Sequence, residues 1–74
     1  MSYAMPRDAK PLTGQECKVI KLIAQGKTNR EIAYEMGLSS STVKHYVRSI
    51  CQKLRVPNRT AAAIRYYRDI ENLS

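Results

Sequence analysis

The sequence predicts a single all-α domain of four helices. Three observations lead there. Helix caps and terminating glycines recur in order along the chain. Apolar residues follow at helical spacing after each cap. No segment shows the strict alternation of a half-buried strand bounded by turn signals. With 74 residues there is room for one domain and a thin core. Residues 1–11 carry two prolines, mixed charges and no period, and read as a flexible N-terminal arm. Residues 12–74 are the domain.

The first helix starts at Thr13. Its hydroxyl is placed to cap the first turn, Glu16 is placed to reach back, and Leu12 and Cys17 stand at the positions of a hydrophobic staple. Cys17, Ile20, Ile23 and Ala24 form its apolar stripe, and Gly26 suits the left-handed residue that ends it. Thr28 and Glu31 form a second capping box. Ile32, Ala33 and Met36 are the stripe of a short helix that stops at Gly37. Ser39 is the preferred cap of the third helix, predicted over about 40–54. There Val43, Val47, Ile50, Cys51 and Leu54 fall within an arc of about 100°, while Ser41, Lys44, His45, Arg48 and Gln52 lie on the flank and back. Pro57 and Asn58 interrupt the chain. Asn58 is placed to cap a fourth helix with Ala62, Ala63, Tyr66, Tyr67 and Ile70 as its apolar positions.

The formal charge is +7, and it is uneven. Residues 36–68 hold Lys44, Arg48, Lys53, Arg55, Arg59, Arg65 and Arg68 and not one acid. A surface of that kind fits an anionic partner better than it fits simple solubility. Other classes lack their residues. No apolar run reaches the ~18 residues of a membrane helix, and the first residues hold no block of signal-peptide length. Two cysteines and one histidine complete neither a disulfide framework nor a zinc site, so no metal and no cofactor is expected. Cys17 and Cys51 read as small core residues. There is no paired carboxylate set, no nucleophile–base pair and no phosphate-cradling glycine loop, so no catalytic residue is assigned.

Two short helices joined at a glycine, with small Ala33 at their crossing, give a helix-turn-helix. Its second helix is rich in donors and free of acids, as major-groove entry requires. The run Leu12-Thr13, Glu16, Val19, Thr28-Asn29, Glu31-Ile32-Ala33, Met36-Gly37-Leu38-Ser39, Thr42-Val43-Lys44, Lys53-Leu54, Val56 and Arg59-Thr60 resembles the LuxR/GerE-type DNA-binding domain of bacterial transcription regulators. The resemblance covers Leu12 to about Arg68. It departs at Tyr46, where the family usually has histidine, and at Arg55, where it usually has glycine. Gln15 and Lys18 also stand in place of a common arginine and a common glutamate.

The resemblance implies a cytoplasmic regulator, nucleoid-associated when bound, whose third helix reads bases and whose fourth forms a dimer. It implies binding to an inverted repeat in double-stranded promoter DNA, with RNA polymerase a candidate further partner and no membrane. Lys44, His45 and Arg48 fall where the family places base-reading side chains, and their donors suit base acceptors. Thr28, Asn29, Ser39, Ser41, Thr42, Tyr46, Lys53, Arg59 and Thr60 are phosphate candidates, several of them at helix N-termini. Ala63, Tyr66, Tyr67 and Ile70 are the expected dimer seam. A helix-turn-helix adaptor or anti-activator that binds protein instead of DNA is the alternative.

Overall fold

A computed structural model describes residues 12–73, with side chains described up to residue 69. The expected arm over residues 1–11 and the side chain of Ile70 therefore lie outside the described residues. Four helices follow in order: α1 (Gly14–Ala24), α2 (Asn29–Met36), α3 (Ser40–Leu54) and α4 (Arg59–Leu73). The described residues contain no strand.

The boundaries are set locally. Thr13 and Glu16 close a capping box: the Thr13 hydroxyl accepts from the Glu16 amide at 3.2 Å, and Glu16 Oε1 accepts from the Thr13 amide at 2.8 Å. Thr28 and Glu31 repeat the arrangement on α2. Ser39 caps α3 through the Thr42 amide, and Asn58 Oδ1 accepts from the Ala61 amide at the start of α4. Each cap orients the chain entering a helix, so the short linkers are directed rather than loose. Gly37 ends α2 at φ +68°, a conformation that costs a side-chain-bearing residue more than glycine. The end of α3 is different. Arg55 takes the same left-handed region at φ 58°, and its amide returns to the carbonyls of Cys51 and Gln52. The position where the resembled family favours glycine is thus a helix C-terminus that needs positive φ.

α1 packs against α3 and α4, and α2 packs chiefly on α3. Val19, Ile20, Ile23, Ile32, Ala33, Val43, Ile50, Leu54 and Ala62 make one buried cluster. The stripe of α3 is as expected, with Val47 and Cys51 at its half-buried edge. The stripe of α1 is rotated from expectation. Glu16, Val19, Ile20 and Ile23 are its buried residues, while Cys17 and Ala24 are only half-buried. The cause is Glu16, whose carboxylate finds partners on α3 and so turns that edge of α1 inward. On α4, Tyr66 packs against the core. Tyr67 is 51% exposed, and its hydroxyl donates to the Ala24 carbonyl at 2.6 Å. Ile64, absent from the expected apolar positions, is 54% exposed. Among the described residues no helix is long and apolar enough to cross a membrane.

Candidate nucleic-acid interface

The packing of α3 determines what it offers outward. Val43, Ile50 and Leu54 point into the core, so Lys44, His45 and Arg48 are carried to the exposed side. The span from 44 to 48 is about one turn, which places Lys44 and Arg48 above one another on that face. Ser41 is exposed beside them at the first turn. α3 contains no carboxylate of its own to compete for these donors.

The nine phosphate candidates divide into groups. Thr28, Asn29, Arg59 and Thr60 come together, lining a cleft of about 730 Å³ between the start of α2 and the start of α4. Lys27, Arg30 and Ser40 line it too, and sequence reasoning did not single them out. One guanidinium ties the cleft: Arg59 donates to Asn29 Oδ1 and, at 2.9 Å, to the Lys27 carbonyl. The N-termini of two helices and three cationic side chains thus meet in one place, which is an arrangement suited to an anion. Lys27 also pairs with Glu35 at 3.7 Å, a surface contact of small energetic weight.

Ser39 and Thr42 form a second group at the start of α3. Their hydroxyls are 2.9 Å apart, and that of Ser39 also accepts the Thr42 amide. Tyr46 is half-buried and packs against the core. Lys53 stands apart: its ammonium lies 2.6 Å from Glu16 Oε1, and its side chain is 23% exposed.

Burial pushes the Glu16 carboxyl up, but donation from Lys53, Ser49 and the Thr13 amide outweighs it and holds the group below its usual value. The Thr28 amide and hydroxyl hold the exposed Glu31 carboxyl down. Burial pushes the Cys51 thiol up against the opposing charge of Arg59, so it is a poor thiolate. Burial, with Cys17 and Tyr67 nearby, raises Tyr66. No group of three His, Cys, Asp or Glu capable of holding a metal occurs among the described residues.

A short helix, a left-handed glycine turn and a donor-rich second helix, braced from behind by two more helices, define the helix-turn-helix class of DNA-binding domain. The chain belongs to the luxR family of bacterial regulatory proteins, whose GerE profile matches residues 10–66. Of the similar proteins, the uncharacterized transcriptional regulatory protein YvfU of Bacillus subtilis is 44% identical over 63 residues, covering 85% of this chain and 32% of that protein. The transcriptional regulatory protein DesR of the same organism is 45% identical over 58 residues, covering 78% and 29%. The nitrate/nitrite response regulator protein NarL of Escherichia coli is 40% identical over 58 residues, covering 78% and 27%. The chain spans about a third of the length of these relatives. Helix-turn-helix regulators of this family are DNA-binding proteins and not enzymes.

Proposed function

We propose that this domain binds double-stranded promoter DNA sequence-specifically, as part of a cytoplasmic transcription regulator. α3 enters the major groove. Lys44 and Arg48 read guanine O6 and N7, and His45 donates to a neighbouring base acceptor. Thr28, Asn29, Arg59 and Thr60 hold one stretch of backbone at the cleft. Ser39, Ser41, Thr42 and Tyr46 approach another near the start of α3. The observation that carries the reading is the division of α3 into a buried apolar face and an exposed face with three donors and no acid.

Binding occurs as a two-fold dimer through α4, and the site is an inverted repeat with half-sites about 10 base pairs apart, centre to centre. Of the expected seam residues, Ala63 and Tyr66 are half-buried against the domain's own core, whereas Tyr67 is exposed. Tyr67 and Ile64, one turn apart and each about half exposed, supply the apolar contact with a second copy. RNA polymerase is the natural further partner of a protein so placed on a promoter.

Selection of bound duplexes from random DNA, followed by footprinting and stoichiometry, tests the whole reading. The expected result is an inverted repeat holding two protomers. Absence of binding to any duplex at low salt would leave the protein-binding adaptor as the function.

A further inference from the structure

Among the described residues Glu16 is the only buried charged one, at 3% exposure, and both of its oxygens are engaged. Oε1 accepts from the Thr13 amide at 2.8 Å and from Lys53 Nζ at 2.6 Å, and Oε2 accepts from Ser49 Oγ at 2.5 Å. Ser49 and Lys53 are one turn apart on α3, 33 and 37 residues from Glu16 in sequence. A single carboxylate at the start of α1 therefore grips two successive turns of α3.

The position of that grip matters. At about 100° per residue, α3 has three sides. Val43, Ile50 and Leu54 centre on the core side, and Lys44, Arg48 and Gln52 lie on a second. Ser49 and Lys53 lie on the third, each side roughly 120° from the next. The apolar stripe sets which side of α3 faces the core, but non-directional contact leaves the fine roll within that side to more directional bonds. Short charge-assisted hydrogen bonds on the third side fix that remainder. A roll of about 10–20° is enough to take a recognition side chain out of productive geometry. Buried ion pairs add little net stability, and their best-attested use is to fix an arrangement.

We propose that Glu16 is a positioning residue for base readout, acting through Ser49 and Lys53 to set the roll of α3, and that Lys53 is a strut rather than a phosphate ligand. The proposal rests on α3 being the DNA-reading helix. Glu16 touches no DNA. Lys53 arrives at the duplex already neutralised by its partner, so it releases no counterion on binding.

Salt dependence separates the two roles of Lys53. Losing a phosphate ligand lowers the log–log slope of affinity against salt by about 0.9 per protomer, while losing a strut leaves it unchanged. The test uses the full chain with Glu16→Gln, Lys53→Met, the double variant and the milder Ser49→Ala. Circular dichroism fixes a temperature at which each is folded. Affinity for the selected site and for a scrambled duplex is measured across a potassium chloride series, with Arg59→Met as the control that does lose a phosphate contact.

The expected result for Lys53→Met is an unchanged slope and a specific-to-scrambled ratio about tenfold lower. Glu16→Gln lowers the ratio similarly, Ser49→Ala lowers it less, and the double variant falls no further than the worse single. A slope lowered by about 0.9 per protomer in Lys53→Met with the ratio intact, or losses that add in the double variant, overturns the proposal. A wild type that binds DNA while every variant matches its ratio overturns the positioning role alone. A wild type that binds no duplex overturns the DNA reading and the positioning role with it.

Discussion

Arg48 and Ile50 are two residues apart on α3 and face opposite ways, so their alanine variants should fail in opposite assays. Ile50 is fully buried, and truncating such a side chain costs about 2–5 kcal/mol in lost transfer energy and residual cavity. A chain of 74 residues has a stability of only about 4–11 kcal/mol at ordinary per-residue values. Ile50→Ala should therefore remove a large part of it and lower the melting temperature on the order of 10 °C or more. Arg48 is exposed, and its replacement should leave stability within about 0.5 kcal/mol. On a selected duplex, however, losing one base contact should weaken Arg48→Ala by about 1–3 kcal/mol, while binding to a scrambled duplex falls much less. Below its melting transition Ile50→Ala should bind the selected site almost as wild type does. Thermal melts and a two-duplex titration of both variants decide the matter. Comparable melting losses in the two, or equal losses by Arg48→Ala on both duplexes, would refute the division of α3 into a core side and a reading side.

Other outcomes follow from the same structure. If each protomer neutralises about four phosphates, the dimer's log–log salt slope should be near −7; a slope near zero in a filter or fluorescence titration excludes backbone contact. Ile64→Asp should abolish cooperative occupancy of the two half-sites while leaving circular dichroism unchanged, since the side chain is half exposed; two protomers still bound together would remove α4 as the seam. Arg55→Val should lower the melting temperature, because a β-branched residue is strained in the left-handed region that ends α3. The Glu16 carboxyl is held below its ordinary 4.5, so its contribution is fully present above that range and is lost as pH falls through the depressed folded value. Denaturant midpoints should thus fall below about pH 4.5 in the wild type and fall less steeply in Glu16→Gln, and parallel curves would show that Glu16 does not carry the acid response.

What could be read from the sequence was what local chemistry decides. Thr13, Thr28, Ser39 and Asn58 act within three residues of themselves, so their caps were visible before any packing was known. The α3 stripe was equally plain because five apolar residues share one arc. Glu16 was legible only in half of its role. As a capping-box member it was evident, but its burial depends on Ser49 and Lys53, which only the packing of α1 on α3 brings near. The same blindness turned the α1 stripe toward Cys17 and Ala24 and missed Val19. The cleft was half visible as well: Thr28, Asn29, Arg59 and Thr60 were named separately, whereas Lys27 and Arg30 join them through the folding of α4 against α1. Ile64 went unnoticed because its neighbours on α4 set the expected apolar arc, and its exposure is set by what α1 leaves uncovered.

The bonds of Arg59 to Asn29 and to the Lys27 carbonyl bear on the thermodynamics of association. An arginine carries about 2 kcal/mol of rotamer entropy that an anion must ordinarily remove as it binds. Here two acceptors from another part of the fold have restricted the guanidinium before any ligand arrives. A phosphate reaching the cleft would meet a cation whose ordering cost was met during folding of the domain. Less of the contact enthalpy would then be offset at the moment of encounter, and the complex would form without local refolding.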